Sequence, residues 1–313
     1  MAKPKIAITI GDPAGIGPEI VFKAVNSLAV QRVCSPVVVG DKKVIEQYFN
    51  VNKFISLKKA EFVFSSGYNK KFNLGEPSKV SGLIACDAVR KSVDMCLKKE
   101  VTAIVTAPVS KESFKYAGLK FSGHTEFLAS LTSTKKYCMM MVCGNINSVM
   151  VTRHLPIKEI SQNLKTKDIV ITTQIAADFI KKHLKRSPKI IIASLNPHAG
   201  DNGILGNEEK KVIFPAIKKL KSEKYDICGL YPVDVAWNKY LNNKCDLIVA
   251  MYHDQVMLPL KILSPEKIVN VTAGLPFVRT SPGHGTAFDI AGKNIADASS
   301  MIEAIRFAGK TER

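Results

Sequence analysis

Histidines carry most of the chemistry this sequence offers, and there are six of them. Four stand beside glycine, proline or acidic residues: His124 in Ser122-Gly-His-Thr-Glu126, His198 in Asn196-Pro-His-Ala-Gly200, His253 in Tyr252-His-Asp-Gln255 and His284 in Pro282-Gly-His-Gly-Thr286. His154 follows an apolar run in Thr152-Arg-His-Leu-Pro156, whereas His183 lies among lysines and reads as a solvated side chain. Imidazole titrates near neutral pH and binds zinc-like ions, so such residues suit proton transfer or metal ligation. No HExxH-type local pair occurs, so a histidine metal site would need ligands from three distant loops.

Two glycine-rich stretches point to an anionic ligand. Gly11-Asp-Pro-Ala-Gly15-Ile-Gly17-Pro-Glu19 reads as a turn between a strand and a helix, where backbone approaches a ligand closely and the helix N-terminus attracts anions. It matches neither GxGxxG nor a Walker loop. His284-Gly-Thr-Ala-Phe-Asp289-Ile-Ala-Gly292 joins a flexible loop to a carboxylate suited to ribose hydroxyls. A carboxylate at Asp289 would repel a 2′-phosphate, which favours NAD over NADP. Lys261, Asn270 and Arg279 follow His253 at short intervals; Arg binds phosphate or carboxylate through a planar fork and Lys as a point charge.

These residues need a scaffold, and the apolar pattern supplies one. Ile6–Ile10, Val37–Val39, Ala103–Val105, Lys189–Ala193, Asp246–Tyr252 and Val269–Thr272 read as strands. Gly17–Ser27, Val80–Lys98, Ile169–Leu184, Glu208–Lys221 and Ser299–Phe307 read as helices. Strand and helix alternate along the chain, which predicts an α/β protein with mostly parallel strands and ligands beyond their carboxyl ends. No repeat or low-complexity linker marks a boundary, so any second domain is closely packed or discontinuous in sequence.

Composition narrows the classes. The 313 residues are 46% hydrophobic and 23% charged, ordinary for a globular chain and unlike a disordered one. Lysine and arginine number 45 against 27 acidic residues, a net charge of +18 that raises the encounter rate with anions. The basic residues come as scattered pairs such as Lys98-Lys99 and Lys218-Lys219, and aromatics are 7%, which disfavours a nucleic-acid binder relative to an enzyme for phosphorylated small molecules. Seven cysteines without a CxxC pair indicate reduced thiols. No apolar run has the length of a transmembrane helix, and the first residues lack the core of a signal peptide, so a cytoplasmic protein without membrane association is expected.

Taken together the motifs resemble the 4-hydroxythreonine-4-phosphate dehydrogenases of pyridoxal phosphate (vitamin B6) biosynthesis. The matching segments are Gly11–Glu19, Thr106–Lys111, Ser122–Glu126, Thr152–Pro156, Leu195–Gly200, Tyr231–Asp234, Tyr252–Gln255, Val269–Ser281 and His284–Gly292, which run in the family's order through nearly the whole chain. The last of them is also similar to the adenosine-binding loop of isopropylmalate and isocitrate dehydrogenases. The resemblance implies a two-domain fold of that type, with residues 1–122 and 273–313 on the cofactor side, 123–272 on the metal, substrate and dimerisation side, and the active site in the interdomain cleft. It implies metal ligation by His154, His198 and His253, one of them from the second subunit of a homodimer. It implies substrate binding by His124, Thr125, Lys261, Asn270 and Arg279, and cofactor binding by His284, Gly285, Thr286, Ala287 and Asp289. Asp234 and Asp254 are candidates for orienting a ligand or moving a proton, and Lys111 for a place near the substrate. The implied cofactors are NAD, with NADP as the alternative, and one divalent metal per site, zinc, magnesium or cobalt. The implied reaction is oxidation of 4-phosphooxy-L-threonine followed by decarboxylation. A sister activity on 4-phospho-D-threonate or 4-phospho-D-erythronate would keep metal, phosphate and cofactor sites. Two positions depart from the family pattern: Val256 stands where glycine commonly follows the His-Asp-Gln, and Gly283 where an acidic residue commonly precedes the His-Gly.

Overall fold

Buried β-branched runs become strands, and the computed structural model places them in two compact units. It describes residues 3–51, 60–68, 71–121, 123–242 and 244–312; the side chains of 48–51, 183 and 184 are not described, so Ser122 and the His183 side chain lie outside the described residues. The first unit comprises Met1–Lys135, Glu266–Val271 and Leu275–Arg313, and the second Lys136–Pro265 with Thr272–Gly274.

In the first unit the strands are β1 (Lys5–Thr9), β2 (Ser35–Asp41), β3 (Glu61–Ser66), β4 (Ala103–Thr106), β10 (Ile268–Ala273, its last two residues assigned to the second unit) and β11 (Val278–Pro282), in the order β3-β2-β1-β4-β11-β10. β1 is parallel to β2 and β4, β2 to β3, and β11 to β4, with Arg279 opposite Ile104. β10 runs antiparallel to β11, with Asn270 opposite Ser281. Continuous apolar runs such as Ala103–Val105 suit strands covered on both faces.

The helices α1 (Gly17–Asn26), α2 (Leu28–Gln31), α3 (Lys42–Val51), α4 (Lys79–Leu97), α5 (Lys111–Tyr116), α6 (His124–Leu131) and α12 (Ser299–Thr311) complete this unit. Ser78 and Ser81 form a reciprocal capping box that starts α4. Gly82 on that helix lets α5 approach, since a Cβ there would fall 2.1 Å from the Ser113 carbonyl oxygen. Ala85, Val89, Ile104, Phe114 and Phe127 meet in the core beneath α4. Phe114 is fully buried, and its truncation to alanine would cost about 3–5 kcal/mol.

The second unit has β5 (Cys138–Cys143), β6 (Ile146–Met150), β7 (Ile190–Ala193), β8 (Ile227–Tyr231) and β9 (Leu247–Ala250), in the order β5-β6-β9-β7-β8. Only the β5–β6 hairpin is antiparallel among these described pairs. Its helices are α7 (Ile157–Asn163), α8 (Thr166–Leu184), α9 (Phe214–Ser222), α10 (Val233–Leu241) and α11 (Asp254–Leu263). The chain is therefore α/β with mostly parallel strands, as expected.

Two expected elements differ in detail. The helix expected over Glu208–Lys221 is a π turn, Glu209–Ile213, followed by α9. Pro215, which has no N–H to donate, sits where a single continuous α-helical ladder would need one. The strand expected over Asp246–Tyr252 is shorter, Leu247–Ala250, because the side chain of Gln255 takes the Met251 N–H at 2.8 Å.

All seven cysteines are free thiols, and only Cys228 is exposed. Among the described residues no helix is long and apolar enough to cross a membrane.

Candidate active site

The carboxyl end of β4 organises the first unit's polar residues. Arg279 enters from β11 with 1% of its surface exposed, and its Nη2 donates to the Thr106 hydroxyl at 2.6 Å. Burial pulls the guanidinium down to about 9, partly offset by the negative charge of Glu126. It remains a cation at neutral pH, held where little water screens it.

His124 is the first residue of α6. Its Nε2 lies 3.1 Å from the Ala107 carbonyl oxygen, which can only accept, so Nε2 carries the proton. Nδ1 is then left as an acceptor; it is sealed from solvent and has no hydrogen-bond partner among the described residues. Burial lowers the imidazole to about 3, with the Arg279 charge acting in the same direction. The ring is packed edge-on against Phe114 at 6.0 Å. His124 is thus a neutral acceptor beside a buried cation. Thr125 follows it, 5% exposed, and Asn270 on β10 presents a buried Oδ1 that also lacks a described partner. Lys111 is exposed at the start of α5. His124 and Thr125, expected with the metal and substrate side, fold with the first unit.

The two glycine-rich motifs meet within this unit. The Ile16 N–H donates to the Thr286 carbonyl at 2.9 Å, and the Gly75 N–H to the Ala14 carbonyl at 2.8 Å. Gly15 has to be glycine for this approach, since a Cβ would fall 2.7 Å from the Thr286 oxygen. Ala287 turns the loop through the left-handed region (φ 42°), leaving Asp289 and His284 exposed. His284 Nδ1 is 3.1 Å from its neighbour's carbonyl at Gly285. Exposed backbone, a carboxylate and the nearby start of α1 suit a dinucleotide.

The second unit holds His154, His198 and His253 in the loops after strands. The rings of His154 and His253 are 5.9 Å apart between centroids. Two imidazoles sharing a metal with bonds of about 2.1 Å have centroids roughly 5–6.5 Å apart, so the spacing of this pair is compatible with a shared divalent ion. His253 Nδ1 lies 2.6 Å from the Asp254 carboxylate, which fixes the tautomer and leaves Nε2 for ligation. His198 lies in a separate turn after β7, and among the described residues no three His, Cys, Asp or Glu side chains of one chain group as a metal site. Asp234, at the start of α10, and Lys261, on α11, are exposed.

One side chain ties two of these loops together. Gln255, 4% exposed, accepts from the Met251 N–H after β9 and donates to the Ser194 carbonyl after β7, both at 2.8 Å. The Thr152 hydroxyl donates to the Met251 carbonyl at 2.7 Å, which adds the His154 loop. Val256, the departure beside this network, is fully buried.

The sequence model for the pyridoxal phosphate biosynthetic protein PdxA matches residues 32–308. The chain belongs to the PdxA family. A relative from Sulfurihydrogenibium, named 4-hydroxythreonine-4-phosphate dehydrogenase, is 41% identical over 97% of this chain and 97% of its own length. A relative from Oceanobacillus iheyensis, provisionally named as a D-threonate 4-phosphate dehydrogenase, is 37% identical over 98% and 97%. The crystal structure of the 4-hydroxythreonine-4-phosphate dehydrogenase from Klebsiella pneumoniae has a TM-score of 0.90 at 33% identity, covering 99% of this chain and 98% of that one.

In this PdxA-family chain, Thr106 anchors Arg279 and Gln255 ties the loops after β7 and β9, tasks that sequence reasoning did not assign to either residue. Thr106 had a signal, its position at a strand end. Gln255 had one too, its place in the Tyr252-His-Asp-Gln255 motif.

Proposed function

We propose that the protein is an NAD-dependent, divalent-metal-dependent dehydrogenase. It oxidises the C3 hydroxyl of 4-phosphooxy-L-threonine to 2-amino-3-oxo-4-phosphooxybutanoate, which loses CO2 to give 3-amino-2-oxopropyl phosphate. The observation that carries this reading is the buried pair at the end of β4, a cationic Arg279 beside a neutral His124 whose Nδ1 is an open acceptor. A substrate with phosphate, carboxylate, hydroxyl and amine groups needs both kinds of partner.

Arg279 and Lys261 hold anionic groups. His124 accepts a hydrogen bond from a substrate N–H or O–H, and Thr125 and Asn270 add further polar contacts. His154 and His253 hold the metal from one chain, with Asp254 orienting His253. In this reading a further protein ligand would come from His198 of the second subunit of a homodimer. The 284–289 loop holds the dinucleotide through His284, Gly285, Thr286, Ala287 and Asp289, with Asp289 favouring NAD over NADP. When bound, NAD+ supplies the hydride acceptor and the divalent ion, zinc, magnesium or cobalt, supplies Lewis-acid polarisation of the hydroxyl. Asp234, exposed at the start of α10, passes the released proton to solvent. In this reading the first unit is the cofactor side and the second the metal and dimer side, with the protein in the cytoplasm.

A second reading is oxidation of D-threonate 4-phosphate, favoured by the Oceanobacillus relative. Incubation with 4-phosphooxy-L-threonine and NAD+ should give NADH and CO2 in equal amounts. No NADH from that substrate, with steady turnover of D-threonate 4-phosphate, would favour the second reading.

A further inference from the structure

We propose that Glu209 is a positioning residue for His198: its buried carboxylate pins the root of a left-handed turn that aims the imidazole. The inference rests on the reading of His198 as a metal ligand.

The turn is unusual in its backbone. His198, Ala199, Gly200, Asp201 and Asn202 have φ of 51°, 55°, 78°, 41° and 54°. Four of these are not glycine, and each L-residue meets a steric cost in this region that glycine avoids. A run of that kind persists only where the surroundings over-determine it. His198 is itself exposed, so what the backbone beneath it sets is the direction in which its side chain leaves the turn.

Glu209 supplies the constraint. It is 2% exposed on the π turn, where the neighbouring Lys210 and Lys211 face solvent. One carboxylate oxygen accepts the N–H groups of Leu195 at 3.0 Å and Asn196 at 2.8 Å. The other accepts the Asn196 side-chain amide at 2.9 Å, and that amide also donates to Glu208 at 2.8 Å. These bonds fix the two residues before Pro197 and His198. The carboxylate also lies beside the middle of the turn, leaving no room for a side chain: a Cβ at Gly200 would fall 2.6 Å from Glu209 Oε2. Downstream, the Leu205 N–H donates to the Gly200 carbonyl at 3.1 Å, and Lys210 Nζ donates to the Asn202 carbonyl. The acid therefore holds the turn at its start and lies against its centre.

Glu209→Gln keeps the shape but turns an N–H2 group toward donors, so at least one of the bonds must be lost. Outer partners of metal ligands commonly carry 10–100-fold in affinity. The test is titration of the metal-free 313-residue chain with Co2+, read by visible absorbance, for wild type and four variants. His198→Ala should lose the site. Glu209→Gln should bind Co2+ about 10–100-fold more weakly with an unchanged far-ultraviolet spectrum. Gly200→Ala, which keeps the carboxylate and displaces it, should weaken binding in the same direction and carries the test if Glu209→Gln fails to fold. Glu223→Gln, an exposed acid bonded to Gln174 and Lys219, should match wild type. Wild-type affinity in both Glu209→Gln and Gly200→Ala, with loss in His198→Ala, would overturn the positioning role and leave the ligand reading standing. Wild-type affinity in His198→Ala would overturn both.

Discussion

Arg279 and Thr106 meet through a 2.6 Å hydrogen bond from Nη2 to Oγ1, with 1% and 0% of their surfaces exposed. They belong to neighbouring parallel strands, and the bond forms where β4 ends. A planar donor fork fixed at one nitrogen can rotate little, so the strand end sets the direction in which the cation faces. Thr106→Val removes the acceptor and leaves that N–H buried. The expected cost is about 1–3 kcal/mol in denaturant stability. The KM for the phosphorylated substrate should rise about tenfold, equivalent to ~1.4 kcal/mol, with a smaller change in kcat. Thr106→Ser should recover most of both. A valine variant with wild-type KM would remove Thr106 from the site.

His124 gives a pH prediction with a definite sign. Its folded value of about 3 lies below its ordinary 6.5, chiefly because of burial. As pH falls from about 6.5 toward 3, the unfolded chain takes up a proton that the native chain refuses, so stability falls. The slope from this group is at most about 1.4 kcal/mol per pH unit, and it vanishes above about pH 7. His124→Gln should flatten the stability curve between pH 4 and 6, measured by urea unfolding. An unchanged slope would show that His124 is protonated in the native state.

The His154–His253 pair predicts a shared ion. His154→Ala, His198→Ala and His253→Ala should each lose bound metal and activity, while His183→Ala should keep both. Asp254→Asn should weaken metal binding by roughly 10–100-fold through the tautomer of His253. Metal content after dialysis, determined by elemental analysis, decides it; a His253→Ala protein with full metal occupancy would contradict the assignment.

The contact between the two glycine-rich motifs predicts a cofactor effect far from the metal. Gly15→Ala places a Cβ 2.7 Å from the Thr286 carbonyl oxygen and must push the 284–292 loop outward. The KM for NAD+ should rise about tenfold or more, with little change in the KM for substrate. Asp289→Asn should narrow the NAD over NADP preference by removing the repulsion of a 2′-phosphate. Equal cofactor constants in wild type and both variants would place the dinucleotide elsewhere.

Much of this was legible in the residues. The buried runs at β1, β4, β7 and β9 are apolar enough to be read directly, and the motifs at their ends follow from the habits of parallel sheets. The β5–β6 hairpin was missed because Cys138–Cys143 is a short, continuously apolar run with one β-branched residue, which periodicity alone does not tell from a buried helix segment. α11 was missed because Pro259 lies inside it. Glu209 was hidden for another reason: in Glu208-Glu209-Lys210-Lys211 it looks like one more solvated charge, and only the tertiary fold buries it. The Thr106–Arg279 bond joins residues 173 positions apart, beyond the reach of any local pattern.

The most direct test of the central claim is the initial rate of NADH formation with 4-phosphooxy-L-threonine, with and without a chelator, beside 4-phospho-D-threonate and 4-phospho-D-erythronate. The proposed function predicts chelator-sensitive turnover of 4-phosphooxy-L-threonine with the highest kcat/KM of the three. Turnover confined to the two sugar-acid phosphates would contradict it.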